Sequence, residues 1–229
     1  VIIGRNGGPV PTPEIAELEA EIAELIRSFA DRLIEISPSR QAVLDYLNAF
    51  PGAYQAQYPA EVALADIATI KGLADAGAPA LQLGEYPEPG SYSLRILRRG
   101  GPVPLSQRVP MLENFGFSVI DEDSYQISPL SSGAVNLHDM QLGAEGLAPL
   151  SERGHGQRIE NAILAVWAGE AENDPLNQLT TRAGLSWTDV EVLRALVRYL
   201  RQVGIAFSRD YLMAVLVKLP EVARALVGL

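Results

Sequence analysis

A chain of 229 residues, 48% of them apolar, can bury a sizeable core in one or two domains, which excludes disorder as its main state. The net charge of −10 argues against a general nucleic-acid-binding surface and against adhesion to anionic membranes. The absence of cysteine excludes a disulfide framework and a thiolate zinc site, and no stretch reads as a signal peptide or as an apolar span of about 20 residues, so a soluble cytoplasmic protein is expected.

The chain opens on Val1-Ile2-Ile3, a strand pattern with no initiator Met. A strand at residue one is expected of a piece cut from a longer polypeptide; simple removal of a tag and methionine is the alternative. Asn6-Gly7-Gly8-Pro9 forms a turn, and Thr12-Pro13 supplies an N-cap and a first-turn proline. Ile15, Leu18, Ile22, Leu25, Ile26, Phe29, Leu33 and Ile36 then recur at three- and four-residue steps, predicting an amphipathic helix of about six or seven turns. Ser37-Pro38 starts a second helix, which runs to about Phe50 and is ended by Pro51-Gly52. A third starts at Tyr58-Pro59, with Val62, Ala63, Ile67 and Ile70 as its buried stripe.

Leu81 and Leu83 predict a short strand that hairpins through a proline-rich turn onto Tyr92, Leu94 and Ile96, whose alternation with Ser93 and Arg95 is that of a half-buried strand. Gly100-Gly101 breaks the strand, and Leu105, Val109, Leu112 and Phe115 have helical spacing. Gly116 supplies a left-handed stop, with Phe117 as the apolar contact of a Schellman cap. Strand resumes in Phe117 to Ile120 and Tyr125 to Ile127, kinked at Asp121-Glu122-Asp123, and again in Ala134 to Met140. This order predicts an α+β module, a small antiparallel sheet with helices on one face, flanked by helical segments on both sides. Beyond it, Ile159, Ile163, Val166 and Trp167 predict a helix packed on the sheet, and Asp174-Pro175 a short helix closed by Gly184. Ser186 to Asp189 has capping-box spacing, with Leu185 and Val190 as a hydrophobic staple. Ser208 starts another helix, which Pro220 breaks before a last one.

No catalytic residues can be assigned. There is no G-x-G-x-x-G; Gly154-His155-Gly156 lacks the third glycine and follows no clear strand. Lys71 and Lys218 lie near helix ends and read as solvated. His138 and Asp139 are neighbours on a predicted strand and point to opposite faces, so they do not act as a pair. Glu170-Ala171-Glu172-Asn173-Asp174 invites a metal reading, but lacks a loop glycine to converge its oxygens and fits a helix end followed by a cap. No metal site is expected. Three negative charges at a helix C-terminus are unfavourable, which suggests compensation by a basic partner domain.

Gly100-Gly101 through Ile127 resembles a signature of the large NAD-specific glutamate dehydrogenases of bacteria, from the region upstream of their catalytic domain. The resemblance extends to Ala49-Phe50-Pro51-Gly52-Ala53-Tyr54, Ala65-Asp66-Ile67, Leu137-His138-Asp139, Val166 to Asp174, Ala183-Gly184-Leu185-Ser186-Trp187 and Arg198-Tyr199-Leu200-Arg201-Gln202. It covers most of the chain after about Phe50, in the family's order. It implies an ACT-like domain with helical connectors. The expected division is 1–11 as the end of a preceding strand with a linker, 12–77 helical, 78–169 ACT-like and 170–229 helical.

By resemblance, the parent enzyme oxidatively deaminates L-glutamate to 2-oxoglutarate and ammonia with NAD. This part is expected to hold no cofactor and no catalytic group, and to serve as a regulatory and structural segment. Its expected partners are the remaining domains of the same polypeptide and further copies in a homo-oligomer, with no nucleic acid and no membrane. In ACT domains a glycine-containing strand-to-helix loop lets a small amino acid approach backbone N–H groups. The resemblance therefore implies an effector site at Arg98, Arg99, Gly100 and Gly101, where glycine removes the Cβ obstacle and arginine attracts a carboxylate. A tight turn with surface arginines is the alternative at this loop. For the whole chain, the alternatives are a stand-alone amino-acid-binding module and a purely structural oligomerisation scaffold.

Overall fold

The computed structural model describes Glu19 and residues 27–74, 77–86, 88–147 and 149–228. The opening strand, the turn at Asn6 and the helix start at Thr12-Pro13 lie outside them. The long helix expected from Ile15 through Ile36 is not continuous among the described residues: Arg27 and Ser28 are not helical, and α1 (Phe29–Ile36) begins after them. The reason is a capping box. Asp31 N–H donates to Ser28 Oγ at 3.1 Å and Ser28 N–H to Asp31 Oδ2 at 3.1 Å, satisfying two backbone donors that the new helix start leaves open.

Ser39 caps α2 (Arg40–Val43), which continues as a 3-10 turn over Leu44–Tyr46 and so stops short of the expected Phe50. Pro51-Gly52 opens a helix where a stop was expected. Pro51 is the N-cap of α3 (Gly52–Gln57), because proline and glycine are tolerated where backbone N–H groups are unpaired anyway. In α4 (Ala60–Gly72) the buried stripe is Ala60, Ala63, Asp66, Ile67 and Ile70, while the expected Val62 is only half-buried. The stripe includes a carboxylate.

β1 (Ala80–Glu85), β2 (Ser91–Arg99), β3 (Ser118–Ile127) and β4 (Val135–Gly143) form one antiparallel sheet in the order β1-β2-β4-β3. The hairpin of β1 on β2 sets Leu81 opposite Ile96 and Leu83 opposite Leu94. β3 is one strand with a bulge between Val119 and Asp121, which absorbs the acidic kink. α5 (Leu105–Asn114) crosses from β2 to β3 and ends in a Schellman motif. Phe117 N–H donates to Leu112 O at 3.1 Å and Gly116 N–H to Glu113 O at 2.9 Å, with Gly116 at φ 84°.

Side-chain alternation divides the sheet between two cores. Leu94, Ile96, Met140 and Leu142 pack on one face with Leu112 and Phe115 of α5 and Ile159 and Ile163 of α6 (His155–Ala168). Leu97, Tyr125, Ile127, Val135 and Leu137 face the other way, against Leu33, Val43, Phe50, Tyr54 and Ile67 of the N-terminal helices. The flanking helical segment is thus the second cover of the sheet. Asp174 then caps a 3-10 turn over Pro175–Asn177 that leads into α7 (Gln178–Ala183), closed by Gly184 at φ 67°. α8 (Trp187–Gln202), with its Ser186–Asp189 capping box, α9 (Arg209–Lys218) and α10 (Pro220–Val227) close a third core around Leu179, Leu193, Val197 and Leu216.

Candidate functional site

Beside the loop joining β2 to α5 lies an open cleft of about 570 Å³, lined by Pro102, Leu105, Arg108, Glu122, Ser124 and His138, among others. Arg108, 3% exposed, falls on the apolar stripe of α5 between Leu105 and Leu112 and donates from Nη1 to Glu122 Oε1 at 2.6 Å. Alternation along β3 puts Glu122 and Ser124 on the same face of the sheet as His138 of β4. Val103 N–H donates to His138 Nε2 at 3.2 Å, so that nitrogen holds the lone pair and the ring proton sits on Nδ1. Nδ1 lies 2.9 Å from Glu122 Oε1 and 2.8 Å from Ser124 Oγ.

Burial and the Arg108 charge hold the His138 imidazole below its ordinary pKa, so it is neutral at pH 7. Burial opposes the charge on Glu122, but hydrogen bonds from Arg108 and Ser124 outweigh it and hold the carboxyl below the usual range. Ser124, His138 and Glu122 do not form a nucleophile–base relay. Serine and imidazole converge on one carboxylate oxygen, and the nitrogen that faces serine, Nδ1, already carries the ring proton because Val103 N–H occupies the lone pair of Nε2. Arg108 Nε and Glu122 Oε2 are buried and make no hydrogen bond to a described residue, a donor and an acceptor beside each other.

The residues expected to bind an effector surround this loop without converging on the cleft. Arg98 and Arg99 leave opposite faces of β2. Arg98 donates to Gly101 O at 3.1 Å and lies 5.7 Å from the Trp167 ring, whereas Arg99 donates to Ile70 O at 3.1 Å and Gly133 O at 3.4 Å. Gly100 takes φ 94°, and its carbonyl accepts from the Asn136 amide. A Cβ at Gly100 or Gly101 would meet nothing within 4 Å. Sequence reasoning passed over Arg108, Glu122 and Ser124. The available signal was a guanidinium on the apolar stripe of a helix that packs on the sheet.

His138 and Asp139 do separate to opposite faces. Asp139 joins a network in which Arg95 holds the fully buried Asp66 through two bonds of 2.7 and 2.8 Å and reaches Asp139 from Nε at 3.1 Å. Tyr54 donates to Asp66 at 2.5 Å and Tyr58 to Asp139 at 2.6 Å. Burial, reinforced by these carboxylates, pushes both phenols far up, so they remain donors. The network ties the N-terminal helices to the sheet.

In the acidic run at 170–174, two of the three carboxylates, Glu172 and Asp174, find countercharge within this chain. Arg194, 1% exposed, donates to both oxygens of Asp174 at 3.0 Å, to Asn177 Oδ1 at 2.5 Å and to Glu172 O at 3.1 Å. Arg198 and Arg209 pair with Glu172. Among the described residues no group of histidines and carboxylates could hold a metal, and no helix is long and apolar enough to cross a membrane.

Comparison with known proteins finds three segments of one enzyme family in sequence. Glutamate dehydrogenase helical motif 2 matches residues 37–73, the glutamate dehydrogenase ACT3 domain residues 80–153, and helical motif 3 residues 171–229. The NAD-specific glutamate dehydrogenase of Halomonas elongata is 35% identical over 240 residues, covering 100% of this chain and 15% of its own length. That of Mycobacterium tuberculosis is 32% identical over 243 residues, covering 99% and 15%, and that of Pseudomonas aeruginosa 27% over 224 residues, covering 93% and 14%. The chain therefore spans about 15% of the length of these relatives. The sheet with its crossing helix, the helices on either side and this consecutive match lead to one assignment: the chain belongs to the glutamate dehydrogenase family, as the region that comprises helical motif 2, the ACT3 domain and helical motif 3.

Proposed function

We propose that this chain is a non-catalytic regulatory and structural segment of a cytoplasmic NAD-dependent glutamate dehydrogenase, which converts L-glutamate, NAD and water to 2-oxoglutarate, ammonia and NADH. The observation that carries the proposal is the uninterrupted order of the two helical motifs around the ACT3 domain. The residues present do not fit NAD. Gly154-His155-Gly156, the nearest approach to a dinucleotide loop, follows a 3-10 turn and not a strand, and the His155 ring is buried against Thr181 O at 3.1 Å. Binding of NAD falls to other parts of such an enzyme. Apolar residues exposed around α8 and α9, among them Tyr199, Val203 and the stacked pair Phe207 and Tyr211, support packing against the remaining domains or further copies in a homo-oligomer.

The regulatory part of the proposal is an amino-acid effector at the loop after β2, with its carboxylate near Arg108 and its ammonium near Glu122. The unpartnered Nε and Oε2 atoms support it. Thermal unfolding is measured against glutamate, aspartate and 2-oxoglutarate. A ligand at about a hundredfold its dissociation constant adds roughly 2.7 kcal/mol, a rise of about 5–10 °C for a chain of this size. Arg108→Gln is expected to abolish the rise, whereas Gly101→Leu, where a Cβ meets nothing within 4 Å, is expected to leave it. A structural scaffold is the second reading, favoured by the way Arg98 and Arg99 are tied to backbone carbonyls. No shift with any of the three ligands favours the scaffold.

A further inference from the structure

A second cavity, of about 600 Å³, lies away from the loop of β2, where α6 meets α7 and α10. Its wall is basic in a chain that is acidic overall. Arg158 comes from the first turns of α6, Arg182 from the last turn of α7 and Arg224 from α10, with Glu152 as the one carboxylate on the wall among the described residues. Arg224 is fixed by two bonds to Ala183 O, at 3.1 Å from Nε and 2.9 Å from Nη2, which also cap the end of α7. Arg182 is exposed and makes no hydrogen bond or ion pair with any described residue.

At the back of the cavity is His155, 2% exposed. Its Nε2 lies 3.1 Å from Thr181 O, a carbonyl that only accepts, so the ring proton is on Nε2 and the neutral ring has a lone pair on Nδ1. Burial, followed by the Arg158 charge, keeps the ring below its ordinary pKa although the Thr181 bond opposes this. Gly184 lines the cavity beside both groups. A Cβ there would stand 3.7 Å from both Arg158 Nη2 and His155 Nδ1. Both polar atoms therefore border the space that glycine leaves open. α6 begins at His155 itself, its N-cap Gly154 offers no side-chain cap, and the positive end of a 14-residue helix therefore lies at His155.

We infer that this cavity is a binding site for a small polyanion, a molecule with two or more oxyanion groups held by the guanidiniums of Arg158 and Arg182 and a hydrogen-bond donor facing His155. Planar guanidinium forks match carboxylate and phosphate oxygens, which is the shared chemistry of the ligand class. The position gives the site a consequence. One wall is the helix that packs on the ACT3 sheet, and the others are helices of helical motif 3. A bound anion braces the two against each other.

Isothermal titration of the whole chain with inorganic pyrophosphate and with citrate, in low salt and at 150 mM salt, tests this and separates phosphate from carboxylate preference. The expected result is saturable binding of at least one of them that persists at the higher salt, with affinity reduced at least tenfold by Arg182→Gln and unchanged by Arg40→Gln, a distant exposed site. Arg182 makes no bond within the described fold, so this variant folds. An amide-shift titration should move Gly184. Binding lost at 150 mM salt, equal weakening by both variants or no binding to either anion would overturn the site. The outcome is independent of the amino-acid panel above, whose ligand is placed at Arg108.

Discussion

At the residue scale, the two histidines make stability depend on pH in one direction. Burial is the first cause in both, and the folded pKa lies below that of the unfolded chain. The folded protein therefore binds fewer protons, and the stabilisation is complete above an unfolded pKa of about 6.5 and is lost as pH falls towards the folded values. Protonation of His138 would set an N–H of Nε2 against the Val103 N–H and release the start of the loop that leads into α5. Each histidine contributes a slope of at most about 1.4 kcal/mol per pH unit. Urea unfolding between pH 7.5 and pH 5 should show a shallower slope for His138→Gln; equal slopes would count against the assigned tautomer. Arg194 is a test of a different kind. Arg194→Met leaves the buried Asp174 carboxylate only Leu176 N–H and the exposed Arg209, and leaves Asn177 Oδ1 without its guanidinium, a loss of about 3 kcal/mol in denaturant unfolding. Arg198→Gln removes an exposed pair and should cost no more than about 1 kcal/mol. Similar losses for the two would contradict the burial argument.

At the scale of elements, local chemistry sets helix ends and periodicity sets helix faces. The Schellman end of α5 requires Gly116 in the left-handed region at φ 84°, and an added Cβ would approach Gln178 Cγ to 3.3 Å. The strain of that backbone for a residue with a Cβ is about 1–2 kcal/mol. Gly116→Ala should lower stability by about this amount without changing the circular dichroism of the folded state. A neutral effect would mean that the turn relaxes into another cap. The start of α1 obeys the same logic in reverse. Apolar spacing continues through Phe29 and Leu33, but Ser28 and Asp31 satisfy each other's backbone groups, and a local cap outweighs a continuing period. Both features were written in the residues. The stop at Gly116 follows from a single amino acid type, whereas the start at Ser28 depends on which of two compatible local signals prevails.

At the scale of the molecule, the ACT3 sheet is covered on both faces, so its domain depends on the helices before it. Removal of residues 1–77 would uncover Leu97, Tyr125, Ile127, Val135 and Leu137 and leave Arg95 and Asp139 without Asp66 and Tyr58. A chain of residues 78–229 should bind a dye specific for exposed apolar surface and aggregate on size-exclusion chromatography. A monodisperse, dye-silent product would show that helical motif 2 is separable from the sheet. The strands, the crossing helix, the caps at Ser186 and Ser208 and the division of His138 from Asp139 were legible from alternation, spacing and capping residues, because those depend on neighbours in sequence. Periodicity also placed Asp66 on α4 and Arg108 on α5, but not what they would meet. That Asp66 lies under Arg95, that Arg194 pairs with Asp174, and that arginines from three helices gather around His155 were decided by the tertiary structure alone. Ion pairs of this kind join residues far apart in the chain, and their partners are chosen by which helix faces pack together, which a one-dimensional pattern does not encode.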